Sequence, residues 1–347
     1  MIRSSKLSAN RLNVGKKTRL LSLMDEMTKV VNTYIDILWE EDVFKGRYVG
    51  FKVNSWLSAR VQSCLGKQAL EIVKSQRKKP RHLRTKPVFR GGSFTLDARV
   101  FDLDETAEEF DFFLRIKSIG DKSFIKIPLN RHKHFNKFEK WDRLNSVRLL
   151  RKDGNIKAEF FFHKEPPALK KKGKVIGFDC GYKKMLVSSE GKVIGQELEA
   201  IYEKIARKQQ GSAAFKRALV ERDNLINQLL NTVSFRGIRE VVVEALKNVK
   251  RSTKGKIRKD FMNKLQRWAY PKVLSKLSRL AEEKGILFTE VNPSYTSQKC
   301  SKCGVVNKSN RRLERYHCKC GNNLDADFNA AINISRLGVY SPQPTKN

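Results

Sequence analysis

The feature that most restricts what this chain can fold into is a cluster of four cysteines late in the sequence. The runs "CSKCG" and "CKCG" place Cys300, Cys303, Cys318 and Cys320 as C-x2-C, then fourteen residues, then C-x-C. That spacing can bring four thiolates to one tetrahedral Zn²⁺, and four protein ligands leave no open coordination position. The site therefore reads as structural rather than catalytic. Gly304 and Gly321 follow the two knuckles and permit the tight turns such a site needs. C-x-C is the shorter knuckle, so His317 competes as a ligand, and iron–sulfur binding or free thiols are the lesser alternatives. Cys64 and Cys180 stand alone, and Cys64 falls on the apolar face of a helical pattern. In the reducing compartment expected for this chain, clustered cysteines favour metal over disulfides.

"GNNLDADFNAAINI", Gly321–Ile334, follows at once. Its two aspartates sit where a helix begins. Asp325 suits the N-cap, where its carboxylate accepts the free amides of the first turn. Asp327 falls within that turn, where the helix dipole favours the ionised form a metal ligand needs. The assignment is capping or support for Asp325 and metal binding for Asp327, with the reverse left open. Two more acids stand where apolar residues are expected. Asp179 ends the strand "KVIGFD", and Glu244 follows Val241, Val242 and Val243. Burying one unpaired carboxylate costs several kcal/mol. Three that converge repel each other unless divalent cations neutralise them, and two Mg²⁺ ions held by carboxylates suit phosphodiester hydrolysis. The order of strands, helices and acids is that of an RNase H-like fold.

The charge points to the substrate. With 72 basic and 36 acidic residues among 347, the formal charge is +36. An excess that large repels itself unless a polyanion is bound, and nucleic acid is the expected partner. A membrane surface is the weaker alternative. No run approaches the roughly 20 apolar residues of a membrane helix. The first residues lack the apolar core of a signal peptide, so an intracellular, cytoplasmic location is expected.

Along the chain, apolar spacing predicts two helices, through Leu20–Leu38 and Leu57–Val73, forming a small helical unit. "KSQRKKPRHLRTKPVFR", Lys74–Arg90, carries eight basic residues and no acid. Lys78, Lys79, Arg81 and Arg84 are read there as phosphate contacts, with a plain solvated linker as the equal alternative. Strands follow from 93 to 162, among them "SFTLDARVFDL" and a hairpin turning at Asp153-Gly154, as a small β-barrel or sheet. Then come the strand of Asp179, a hairpin, a long helical region over about 197–233, the strand of Glu244, a helical region over 261–284, and the strand "GILFTEVNP". Between Lys247 and Lys272 lie ten basic residues and one acid. Lys254, Lys256, Arg258, Lys259 and Arg267 are candidates to track a phosphate backbone, while Phe261 reads as core and Trp268 stays open between core and base stacking. Arg311 and Arg312 between the knuckles suggest a basic zinc ribbon lying against nucleic acid.

"GFDCGYKKMLVSSEG", "VVVEALKNVK", "NPSYTSQKCSKCG" and "YHCKCGNNLDADFNAAINI" resemble the signature blocks of the TnpB family, transposon-encoded RNA-guided nucleases related to compact type V CRISPR effectors. The resemblance covers about residues 174–337, and its last two blocks are highly specific. It implies a multidomain chain of α/β and α+β parts: an RNase H-like RuvC domain with an inserted zinc ribbon, preceded by a β-barrel wedge domain and a helical recognition domain. The corresponding boundaries are 1–14 (first wedge strand), 15–90 (recognition), 91–165 (wedge), 166–172 (linker), 173–292 and 322–347 (RuvC), and 293–321 (target nucleic-acid-binding zinc ribbon). It implies Asp179, Glu244 and Asp327 as catalytic ligands of two Mg²⁺, Asp325 in support, and the four cysteines on one structural Zn²⁺. It implies a guide RNA from the transposon end, double-stranded target DNA cut next to a short adjacent motif, and a prokaryotic, nucleoid-associated setting. A regulator that binds without cutting and an RNase H-like transposase are the alternatives. Two departures from the family pattern stand out: the second knuckle is one residue short, and few residues follow the third acid block.

Overall fold

The computed structural model describes residues 1–40, 46, 48–105, 109–246 and 259–340, with the backbone alone for 259–261. It divides into two compact units, Met1–Glu165 and Pro166–Asn347.

The first unit contains β1 (Ile2–Ser8), helices α1 (Val14–Glu40) and α2 (Ala59–Arg77), β2 (Ser93–Asp97), β3 (Phe101–Glu105), β4 (Phe112–Ile116), β5 (Ile125–Leu129), the short α3 (Lys133–Asn136), β6 (Asp142–Lys152) and β7 (Asn155–His163). Helix α1 buries Leu20, Leu23, Met27, Val30, Tyr34 and Leu38, at the expected helical spacing. The Ser58 side chain caps α2 by accepting from the Val61 amide. Two antiparallel sheets follow the orders β1-β7-β6-β2 and β3-β4-β5. The "SFTLDARVFDL" stretch is not one strand, because β2 and β3 belong to different sheets. Asp97 causes the break: its carboxylate accepts from the Arg99 amide and its carbonyl from the Val100 amide, which turns the chain. The hairpin β6–β7 turns at Asp153 (φ 50°) and Gly154 (φ 74°), both left-handed, as an Asp-Gly turn allows. The helices do not stand apart from the sheets, since one apolar core joins both helices to both sheets. Cys64 packs half-buried against that core.

The second unit contains β8 (Lys174–Asp179), β9 (Leu186–Ser188), β10 (Val193–Ile194), α4 (Leu198–Ala206), α5 (Ala213–Asn231), β11 (Ile238–Glu244), α6 (Lys259–Arg267), α7 (Tyr270–Glu282), β12 (Leu287–Val291), β13 (Arg311–Arg312), β14 (Arg315–His317), β15 (Asn323–Asp325) and α8 (Ala326–Ser335). Both expected long helical regions are broken. Gly211 at φ 85° and a Ser212 side chain that accepts from the Phe215 amide restart the first as α5. Pro271 at the head of α7 restarts the second, because proline cannot donate to the turn before it. The main sheet runs β10-β9-β8-β11-β12. Its first three strands are antiparallel, and β8, β11 and β12 are parallel. This is the strand order an RNase H-like fold requires, with β8 and β11 adjacent at its centre.

Candidate active site

The parallel register of β8 and β11 pairs Phe178 with Val243. The next residues, Asp179 and Glu244, are the last of their strands and emerge side by side at the same edge. Helix α8 brings the third acid. It lies directly on β8, where a methyl group on Gly177 would stand 2.3 Å from the Ala331 carbonyl oxygen and 2.4 Å from the Ser335 nitrogen. Only a residue without a side chain lets the helix come this close. Asp325 caps α8 as expected, its Oδ1 accepting from the amides of Asp327 (3.0 Å) and Phe328 (3.1 Å). Asp327 then occupies the first turn.

Asp179 senses the other two carboxylates. The Asp179 carboxyl is pushed up to about 8, first by burial and then by the charges of Glu244 and Asp327. Burial also raises Glu244, against the opposing effect of a hydrogen bond from the Thr296 hydroxyl. Burial alone would raise Asp325 too, but the Lys184 ammonium and the two helix amides outweigh it and hold the group below its ordinary value. Two cations meet Asp327. The Arg311 guanidinium donates to its Oδ1 at 3.0 Å, and the Lys184 ammonium lies 3.5 Å from its Oδ2. Lys184 also bonds Asp325 at 2.5 Å. Asp179 thus lies within electrostatic reach of Glu244 and Asp327, but among the described residues the three acids do not form, as the cysteines do, a group whose ligand atoms all lie within 4.8 Å of one another.

The cysteines converge as the spacing suggested. All four sulfurs lie within 4.8 Å of one another. Cys300 and Cys320 are 3.6 Å apart, as are Cys303 and Cys318. Four sulfurs about 2.3 Å from one zinc would stand about 3.8 Å apart, whereas a disulfide bond measures about 2.05 Å. The group can therefore bind a metal ion. The short C-x-C knuckle completes it, and His317 is exposed and outside it.

A polar network absent from the sequence reading joins this cluster to α8. Asn329 donates to the Lys299 carbonyl (2.9 Å) and accepts from the Ser301 amide (2.9 Å). Asn333 donates to the carbonyls of Thr296 (2.9 Å) and Lys299 (2.7 Å). These bonds fix Thr296, which in turn bonds Glu244. Their signal was available: two asparagines four apart on an otherwise apolar helix mark a buried face with polar partners.

The basic candidates divide. Lys78, Lys79, Arg81 and Arg84 are exposed in the first unit, and Arg84 donates to the Lys79 carbonyl at 2.7 Å. Arg312 is exposed and Arg267 half-buried. Arg311, read as a nucleic-acid contact, is engaged by Asp327. Lys254, Lys256 and Arg258 lie outside the described residues, as do the side chains of Lys259 and Phe261. Trp268 is held in the fold, its indole donating to the Gly181 carbonyl at 2.9 Å and its ring 4.8 Å from that of Tyr270.

A family model for the Cas12f1-like TNB domain matches residues 270–334. A CRISPR-associated endodeoxyribonuclease Cas12f1 of Sulfoacidibacillus thermotolerans is 42% identical over 73 residues, which are 20% of this chain and 17% of that protein. A TnpB-like protein of Aquifex aeolicus is 34% identical over 112 residues, which are 31% of this chain and 36% of that one. Over these segments the chain is similar to Cas12f and TnpB-like proteins. The matched segments span well under two thirds of those relatives' own lengths. The solved Cas12f1–sgRNA–target DNA complex aligns over 93% of this chain and 82% of that chain, with TM-score 0.62 and 16% identity. At that identity the likeness is one of fold alone, a mixed α/β one. Among the described residues, no helix is long and apolar enough to cross a membrane.

Proposed function

We propose that this Cas12f- and TnpB-related chain is an RNA-guided DNA endonuclease. The observation that carries the reading is the convergence of Asp179, Glu244 and Asp327 from two adjacent parallel strands and a helix pressed onto Gly177. Asp179, Glu244 and Asp327 would hold two Mg²⁺ ions, with Asp325 in support as the helix cap. When bound, such ions supply an activated water and a stabilised leaving oxygen for phosphodiester hydrolysis. The protein's own groups arrange the site. Thr296 orients Glu244, the cap at Asp325 fixes the first turn of α8, and Lys184 and Arg311 offset the carboxylate charge. The four cysteines would hold one structural Zn²⁺ that sets the hairpin carrying Arg311 over the acids.

The charge of +36, the endodeoxyribonuclease name of one relative and the sgRNA and target DNA of the solved Cas12f1 complex support RNA and DNA as partners. In this reading a guide RNA from the transposon end supplies sequence specificity, and the protein reads a short motif next to the target. The wedge, recognition, RuvC and zinc-ribbon divisions set out from the sequence are part of the same proposal.

The test has two stages. The protein is purified with its native flanking DNA expressed alongside, and bound RNA is sequenced. Guided cleavage of plasmid DNA is then compared for wild type and Asp179→Ala in Mg²⁺. The expected result is a discrete RNA, cutting by wild type, and no cutting by the variant with RNA still bound. Cutting by Asp179→Ala would refute the site. Binding without cleavage at any Mg²⁺ concentration would favour a regulator, and RNA-independent strand joining a transposase.

A further inference from the structure

Helix α8 carries two buried asparagines, Asn329 at 0% and Asn333 at 4% exposure. Both grip the backbone beside Cys300. The peptide group before Cys300 offers the Lys299 carbonyl, which accepts from Asn329 at 2.9 Å and from Asn333 at 2.7 Å. The peptide group after it offers the Ser301 amide, which donates to Asn329 Oδ1 at 2.9 Å. Arg336 donates to the Ser301 carbonyl, and Asn322 donates to the Cys300 sulfur at 3.4 Å. Cys300 is therefore bracketed by α8 on both sides of its own backbone. Outer partners of this kind hold a metal ligand in its orientation.

Asn333 reaches further. Its other proton goes to the Thr296 carbonyl at 2.9 Å, while its Oδ1 is buried without a partner. A buried acceptor left unmet costs stability. The side chain is kept for its two donor bonds, and these join Lys299 to Thr296. Thr296 is itself 3% exposed, and its hydroxyl has two acceptors within reach, Glu244 Oε1 and the Pro293 carbonyl at 3.0 Å. A hydroxyl has one proton to give, and an ionised carboxylate holds it more strongly than a carbonyl does. A small displacement of the Thr296 backbone would hand that proton to Pro293 and release Glu244. The route from Cys300 to Glu244 thus runs through an amide with two carbonyls to hold and a hydroxyl with two acceptors to choose between.

We propose that Asn333 is a positioning residue that carries the geometry of the Cys300 knuckle to Glu244 by way of Thr296, so that an ion in the cysteine cluster fixes the carboxylate at the end of β11. The consequence for catalysis rests on the nuclease reading; the coupling does not, and its test uses neither DNA nor cleavage. Hydrogen exchange is followed by mass spectrometry on the full chain with its copurified RNA, loaded with Zn²⁺ or stripped by a chelator. The reporting amides are those of Ala245 and Leu246, directly after Glu244, which donate to the Val291 and Glu244 carbonyls. Stripping zinc should speed their exchange roughly ten-fold or more, as loss of one hydrogen bond to a charged group does. Asn333→Leu should speed it as much with zinc bound, and stripping should then add nothing at these amides. Thr296→Val should do the same while exchange around Cys300 stays that of wild type. Thr296→Ser keeps the hydroxyl and should restore the wild-type response. Unchanged exchange at Ala245 and Leu246 in stripped wild type would overturn the proposal. So would acceleration in Asn333→Leu confined to residues 299–301, which would mark a local structural role. Were stripping to loosen the whole second unit, the zinc-bound variants would decide by the same criteria. If Asp179→Ala still cut DNA, the nuclease site would fall, while the exchange result would stand on its own.

Discussion

At the scale of the residue, Asp179 holds the central tension of the site. Its carboxyl is raised to about 8 by burial and by two neighbouring acids. The sign of the consequence follows directly. Between the ordinary carboxylate range and about pH 8 the folded chain binds a proton that the unfolded chain has released. Stability of the metal-free protein therefore falls as pH rises through that window. A divalent ion reverses the preference, since it needs the carboxylate ionised and must displace the proton. Apparent Mg²⁺ affinity should accordingly rise from pH 6 to pH 8, with proton release on binding. Titration calorimetry in two buffers of different ionisation enthalpy measures both. Affinity that is flat with pH, with no proton released, would show that Asp179 is not a ligand.

At the scale of the element, the site depends on where α8 lies. Gly177→Ala puts a methyl group against the helix backbone at two points, the Ala331 carbonyl oxygen (2.3 Å) and the Ser335 nitrogen (2.4 Å). Backbone cannot swing aside as a flexible side chain can, so the helix must lift. A cost of about 1–3 kcal/mol in denaturant unfolding is expected. Cleavage should fall about 100-fold, because displacement by roughly 1 Å spoils the alignment of Asp327. The far end of α8 is held differently. Glu240 is fully buried on β11, accepting from the Thr289 hydroxyl and from the amides of Val339 and Tyr340 just beyond the helix. Glu240→Ala strips three donors of one acceptor and should cost about 2 kcal/mol. Glu240→Gln should recover part of that stability. These two contacts also show what the sequence could and could not convey. The cap at Asp325 and the convergence of the four cysteines were legible because each is a chemical oddity at a telling position. The place where "SFTLDARVFDL" passes from one sheet to another was not, because it depends on which strand each half pairs with. Nor was the engagement of Arg311 by Asp327, since an arginine between knuckles reads locally as a free phosphate contact. Pro271 could have revealed the helix break before it, because proline belongs in a helix's first turn.

At the scale of the whole molecule, the governing quantity is the charge of +36. Without a polyanion, this excess strains the folded chain, since compaction brings like charges together. Salt screens that repulsion, with a Debye length falling from about 30 Å at 0.01 M to about 8 Å at 0.15 M. The melting temperature of the nucleic-acid-free protein should therefore rise with NaCl over this range. The complex should respond in the opposite direction. Each phosphate neutralised by lysine or arginine releases counterions that salt puts back. Contacts to six to ten phosphates would cost roughly 10³–10⁵-fold in affinity between 50 and 200 mM. Thermal scans and fluorescence anisotropy across one salt series measure the two trends together. Opposite slopes would mean that bound nucleic acid supplies the counter-charge this chain lacks. A melting temperature independent of salt would mean that the chain's own acids already balance the charge locally, as Glu314 does for Lys183 at 2.7 Å. Affinity would then have to come from local contacts rather than from the charge of the surface at large.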